Sequence, residues 1–421
     1  MGFLQFVEQV IFMPLVRYPL LGGIVLLVVF YVLLRVVWHL RLYVIRYKTI
    51  LGNDYTMLEI RLPKEVERSP AAMELFFMNA LHHTGGVGNP YKLYWEGRVL
   101  NSSSLEIVSF GGNIRFYLRV HSWVKNIAEA QLYAQFPQVE IVEAEDYTDR
   151  VPPLTRDADF DIFACTHHKG LSDVYPIKTY RDYGVDRHYE SLDTEQQIDP
   201  LSAVIEAMGT IGPHEEWWTQ ILLQPKKGMG DWKQKAQDEI TKLQKEYRKR
   251  AMDSDEERST YMLTEGEKET INAIERSMDK PRFTVGIRVV YLAKTGHFNG
   301  RNIQLLKNQF TPFASHSLNE LKFDPYTSFD SPWEDYRDFF DYRKKVRALE
   351  DYRNRIYFHL TFKYTWFDIY MKYINPHKYR EFTMSTEELA TIFHIPGGMV
   401  QAPGVERIES RKAEPPSNLP M

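Results

Sequence analysis

Cysteine is nearly missing from this chain of 421 residues. Cys165 stands alone, so no internal disulfide can form and a disulfide scaffold is excluded. An excess of one charge is missing too. Against 56 Asp and Glu stand 52 Lys and Arg, a formal balance of −4, which leaves no basic surplus to condense on DNA or anionic lipid. Signatures of common chemistry are also lacking. No G-x-x-x-x-G-K-S/T run is present to cradle nucleotide phosphates, and no G-x-S-x-G elbow presents a nucleophile. His214-Glu215-Glu216 has no second histidine to complete a zinc motif. His167 and His168 are neighbours on a strand, so their side chains diverge and cannot easily share a metal. Cys165 and His167 do share a strand face, yet a free buried cysteine behaves as an inert small hydrophobe. The motifs therefore imply no enzyme, no catalytic residue, no cofactor and no metal.

What is present begins with one long apolar run. Residues 20–40 carry only Arg35 and His39 as polar interruptions, and about 20 such residues cross a bilayer core. Trp38 falls at interface depth, and Arg35 can snorkel to the headgroups. Before the run, Phe3, Phe6, Val7, Val10 and Ile11 form a helical stripe, so residues 1–19 are expected to lie in the interface. Arg17 precedes the span, whereas Arg35, Arg41, Arg46 and Lys48 stand at or beyond its far end. Positive-inside bias then puts the C-terminal mass in the cytoplasm of a single-pass membrane protein.

From Tyr55 the pattern becomes α+β. Leu58, Ile60 and Leu62 alternate on a strand, and Ser69-Pro70 opens a helix with the stripe Met73, Phe76, Phe77, Ala80 and Leu81. Gly111-Gly112-Asn113 joins two strands as a hairpin, a second helix follows, and a last strand carries Ile141. This βαββαβ order is that of a ferredoxin-like unit, expected over 54–150. The order recurs over 157–326, where Asp199-Pro200 again opens the first helix. Its hairpin is interrupted by an insertion, 231–280. Trp232, Ala236, Ile240, Leu243 and Tyr247 keep helical spacing there, and Thr264 with Glu267 forms a capping box for a second helix. An antiparallel helical hairpin is expected, serving as a docking arm, a contact for a second copy in a homo-oligomer, or a solvated spacer.

Arg115, Tyr117 and Arg119 alternate with apolar residues on one strand, so the three share a sheet face. Such a face either stacks nucleic-acid bases or packs against the sister domain. Residues 327–421 form an aromatic-rich segment, a short helix and a Pro-rich tail. Ser385 and Glu388 cap the short helix, Leu389 and Phe393 give it apolar anchors, and His394 meets its C-terminal dipole. Pro396 and Gly397 then end it. A helix this short needs outside support, which makes it the expected partner-docking element.

TEELATIFHIPGG, followed by RKAEPPSNLP, resembles the end of an uncharacterised membrane-anchored family of bacteria, notably of the candidate phyla radiation. DPLSAVIEAMGTI, HEEWWTQILLQP and LTEGEKETINAIERSMDKPRFTVGIRVVYLA are similar to that family as well. Members stand beside conjugative coupling-protein ATPases of the HerA/FtsK translocase type in type IV secretion-like systems. The resemblance implies a non-enzymatic membrane anchor or adaptor for a separate DNA- or protein-translocating ATPase. The alternatives are an envelope component without a motor and a single-stranded nucleic-acid-binding module.

Overall fold

Residues 19–63, 68–82, 89–185, 199–226, 228, 230–253, 263–327, 339–358, 380–396 and 407–408 are described in the computed structural model. The segment expected over 1–19 lies outside them up to residue 18, as do the insertion tip, Gly397 and most of the tail. Two units make up the chain. One holds residues 1–52, 87–99 and 359–371, and the other the remainder.

The first unit is built on helix α1, Pro19–Gly52. The span Gly22–Gly52 is long and apolar enough to cross a membrane. Side chains along the apolar run, among them Leu26, Leu27, Phe30 and Leu33, stand exposed on all sides. A helix of this length that is apolar all round has the composition of a membrane span. The helix continues past the expected end at residue 40.

The second unit is mixed α/β around one large antiparallel sheet. The strands are β1 (Tyr55–Pro63), β2 (Ser103–Phe110), β3 (Asn113–His121), β4 (Glu140–Ala144), β5 (Phe160–Lys169), β6 (Glu215–Lys226), β7 (Arg282–Lys294) and β8 (Leu321–Pro325), with β9 (Phe382–Ser385) and β10 (Arg407–Ile408). Their order is β10-β1-β3-β2-β6-β7-β5-β8, with β4 also on β1 and β9 also on β7. These strands pair antiparallel except β10, which runs parallel to β1. The two halves of the sheet meet where β2 pairs with β6, from Ser103 opposite Leu223 to Phe110 opposite Glu216. The β2–β3 turn uses Gly111 and Gly112 at φ 58° and 91°. A Cβ on Gly112 would lie 2.9 Å from the Gly209 carbonyl oxygen, so only glycine fits that approach.

Period-two patterning sends alternate strand residues to two different cores. On one face Leu58, Ile60, Phe116, Trp217 and Val285 meet helices α2 (Ala71–Phe76, running on as a π-helical turn Phe77–His82), α4 (Lys125–Gln135), α5 (Pro200–Gly209), α8 (Arg301–Asn308) and α10 (Thr386–Ile392). On the other, Met57, Val108, Tyr117, Trp218 and Val290 meet Tyr147, Leu154 and helix α9 (Phe339–Arg353). The sheet is thus covered on both sides. A remaining helix of the first unit, α3, spans Pro90–Tyr94.

The insertion folds as α6 (Gly230–Asp253) and α7 (Glu265–Met278), packed through Trp232, Ala236, Ile240, Leu243, Ile271 and Ile274. The Thr264–Glu267 capping box forms. On helix α7, Thr270, Ala273 and Ser277 are covered as well as Ile271 and Ile274. Arg276 Nε, near its C-terminus, lies 2.9 Å from Glu387 Oε1 of α10. Deleting 230–280 is therefore expected to lower the urea midpoint clearly, because it strips cations from a buried carboxylate. An unchanged midpoint would mark the hairpin as a detachable spacer.

Candidate functional site

Two buried polar nodes organise the second unit, and the expected site residues fall in or beside them. The first surrounds α10. Ser385 accepts from the Glu388 backbone N–H while Glu388 reaches back to the Ser385 N–H at 2.8 Å, completing the expected capping box. Glu388 also takes Lys169 Nζ at 2.6 Å and the Ile177 N–H at 3.1 Å. Lys169 and Glu388 side chains are each 1% exposed, so the pair is fully desolvated. Glu387 accepts from Thr179 Oγ1 at 2.8 Å and is flanked by Arg181, Arg276 and Lys280. The carboxylates beside the helix N-terminus also suit its dipole.

His394 closes the helix. Its Nδ1 lies 2.8 Å from the Ala390 carbonyl oxygen and its Nε2 3.0 Å from Asp199 Oδ2, and Asp199 itself caps α5. Burial resists protonation of this imidazole, but the Asp199 carboxylate and the helix carbonyls outweigh it and raise its pKa above 6.5. Asp199 is likewise disfavoured by burial, yet the imidazolium holds it below 3.8. The raised histidine stabilises the fold fully below its unfolded pKa, and that contribution fades as pH rises through the folded value. The depressed aspartate acts oppositely, losing its contribution as pH falls below 3.8. Unfolding followed from about pH 6 to about pH 9 is thus expected to show falling stability that His394→Gln flattens. The variant should cost about 1.5–3 kcal/mol near pH 6, the worth of hydrogen bonds to a charged group. Equal pH slopes for both proteins would remove the pair from this role.

Leu389 and Phe393 were expected to meet a partner. Both are covered by this chain, at 0% and 1% exposure, and Phe393 packs edge-on to Phe116 with centroids 5.8 Å apart. Pro396 is buried too, and Gly397 lies outside the described residues. As folded, these side chains offer a partner no apolar surface. The short helix is held by its own core, because its capping carboxylates and apolar side chains all find intramolecular company.

The second node lies on the opposite sheet face and holds the strand expected to be open. Tyr117 is 1% exposed and stacks on Tyr147 at 5.1 Å, so it offers no ring face to a base. Arg119 lies over Tyr55, 3.8 Å from the ring centroid, and burial lowers its pKa to about 10. Arg115 is half-buried beside Glu59 at 3.6 Å. Register continues the row: Tyr117 sits opposite Glu106, Glu106 opposite Gln220, and Gln220 opposite Arg288. This line of polar residues crosses the β2–β6 seam.

Glu106 is its centre and is wholly buried. Its Oε1 accepts from Ser104 Oγ at 2.6 Å, Gln220 Nε2 at 2.8 Å and Arg355 Nε at 3.1 Å. Its Oε2 accepts from Tyr147 at 2.6 Å and Arg355 Nη2 at 3.1 Å. Tyr147 spends its proton on Glu106, so the 2.8 Å contact with Tyr352 is donated by Tyr352. Burial alone would raise the carboxyl pKa, but Arg355 and the hydroxyl donors overcome it and hold it near 2. Arg355 also pairs with Asp146 and occupies φ 51°, a left-handed backbone that only a strong anchorage sustains. Arg288 Nε donates to Gln220 Oε1 at 2.8 Å, tying β7 into the same network. A solitary carboxylate inside the apolar run of β2 was the available signal. Its arginine lies 249 residues away, so spacing could not reveal the pair.

His167 and His168 point to opposite faces, His167 against Phe310 and His168 toward Asp324 at 2.9 Å. Burial pushes His167 down to about 3 and raises the Cys165 thiol, leaving both neutral near pH 7. Among the described residues, no group of three His, Cys, Asp or Glu side chains could hold a metal ion.

These features define a mixed α/β protein on one large antiparallel sheet, preceded by a helix able to span a membrane. Residues 56–407 match the family described as "Domain of unknown function (DUF8128)", and the chain belongs to that family. No curated protein matches it.

Proposed function

We propose that this chain is a non-enzymatic, single-pass membrane adaptor whose sheet-bearing unit stands in the cytoplasm beside a separate translocating ATPase. The observation that carries the reading is α1, whose apolar side chains are exposed around its whole circumference. The Arg and Lys bias after residue 34 supports the cytoplasmic orientation. Each half of the sheet follows βαββαβ order, with strand orders β4-β1-β3-β2 and β6-β7-β5-β8. We read them as two ferredoxin-like units fused through β2 and β6 into a stiff platform. The buried charges of α10 and of the seam are engaged with each other, which suits a scaffold better than a reaction centre. The ATPase partner rests on the resemblance of TEELATIFHIPGG and its companions. Nucleic-acid stacking is disfavoured by the burial of Tyr117.

Affinity purification of the native membrane complex, followed by mass spectrometry, is expected to recover a translocase-type ATPase in stoichiometric amount. Recovery of the chain with envelope proteins alone would replace the motor adaptor with a structural envelope role. Protease added to intact spheroplasts should spare the sheet unit, and its digestion would reverse the orientation.

A further inference from the structure

The membrane-spanning unit carries aromatic side chains that its spanning helix does not account for. From Leu20 to Trp38 the helix rises about 27 Å, close to the thickness of a bilayer hydrocarbon core. Trp38 therefore marks the second interface. Beside it, from a distant part of the sequence, lies Trp95, with ring centroids 6.0 Å apart. Arg41, one turn beyond Trp38, stacks over both rings at 5.4 and 4.6 Å and donates from Nη2 to the Trp95 carbonyl oxygen at 3.4 Å. Tyr91 stacks on Trp95 at 6.3 Å.

The backbone is shaped for this approach. Gly97 has φ 69°, and a Cβ there would lie 2.3 Å from Ile45 Cγ2 on the helix. Ile45 is two turns past Trp38, about 10 Å along the axis, so residues 89–99 run beside the stretch of helix that follows the hydrocarbon edge. Despite that packing, Tyr91, Tyr94 and Trp95 remain 58%, 49% and 52% exposed. Aromatic rings with a polar edge, uncovered by protein and level with an interfacial tryptophan, fit a bilayer headgroup layer. Charge agrees with shape: Arg41 and Arg46 stand on this same stretch of helix, each only partly buried, and arginine beside tryptophan and tyrosine anchors a span at its interface.

Resting on the reading of α1 as a spanning helix, we propose that residues 89–99 are a second membrane-contacting element. They form an aromatic finger lying in the headgroup layer of the chain's own bilayer. The finger fixes the depth and rotation of the helix, which an apolar span alone leaves free.

Full-length protein in nanodiscs of phosphatidylcholine and phosphatidylglycerol tests this. Cys165 is buried, so a fluorophore on an added cysteine reports one chosen site. Tyr91→Cys and Tyr94→Cys change exposed side chains and should leave the fold intact. Leu27→Cys reports the spanning run. A lipid carrying a headgroup spin label is expected to quench positions 91 and 94 several-fold relative to nanodiscs without the label. A mid-chain label should quench position 27. Free phosphate carries no quencher, so the signal reports lipid. Quenching at 27 with none at 91 and 94 would overturn the finger and leave the spanning helix standing. No quenching at 27 would overturn the spanning helix and the finger with it.

Discussion

Leu389→Ala combined with Phe393→Ala is expected to unfold the whole sheet unit rather than detach a partner. Each side chain is buried in the core that the sheet residues share, and a packed core relaxes only partly around a truncated side chain. A buried Leu→Ala costs about 2–5 kcal/mol and a buried Phe→Ala about 3–5 kcal/mol. Even with imperfect additivity between neighbours, the sum rivals the 5–15 kcal/mol that holds a typical domain together. Far-UV circular dichroism and a urea titration of the double variant would read this directly. A folded double variant with an unshifted midpoint would show that α10 is dispensable to the core. Its residues would then be available again for docking. The single variants separate the causes further: loss of Phe393 removes the edge-on contact with Phe116, whereas loss of Leu389 leaves that ring pair in place.

Local signals in the sequence proved readable where a single element explains itself. The stripe Met73, Phe76, Phe77, Ala80, Leu81 is buried as spaced, and Asp199, Thr264 and Ser385 all cap the helices they precede. A capping box needs only residues three apart, and a strand face only residues two apart, so both are visible in a short window. Covering of a face is a different matter. Arg115, Tyr117 and Arg119 share a face as expected, but what lies over Tyr117 is set by Tyr147 and by helix α9, more than two hundred residues on. The same blindness applied to α10. Its length correctly implied outside support, yet Lys169, Thr179 and Arg276 supply that support from three separate elements. The insertion's apolar seam was legible in its spacing. Its attachment through Arg276 was not, because an arginine on a solvated helix looks the same as one aimed at a buried carboxylate.

Arg355→Met is expected to destabilise the sheet unit by about 3–5 kcal/mol, the cost of leaving one member of a buried ion pair behind. The abandoned member is Glu106, which keeps Ser104, Tyr147 and Gln220 as donors but loses its counter-charge. Adding Glu106→Gln to that variant should restore much of the loss, since an amide in the same place carries no charge to desolvate. The pH dependence distinguishes this account from simple loss of packing. In the wild type the carboxyl is held near 2, below its ordinary 4.5. Its contribution is therefore complete above 4.5 and is lost only as pH falls through about 2. Without Arg355, burial dominates and raises the carboxyl instead, so the sign reverses and acidification relieves the strain by protonating it. The stability gap between Arg355→Met and wild type should narrow as pH is lowered from about 7 to about 4.5. A gap that stays constant across that range would mean that Arg355 acts through its packing on Tyr147 and not through Glu106. In that case Glu106→Gln would bring no recovery, and the seam between the two halves would owe its strength to the β2–β6 ladder alone.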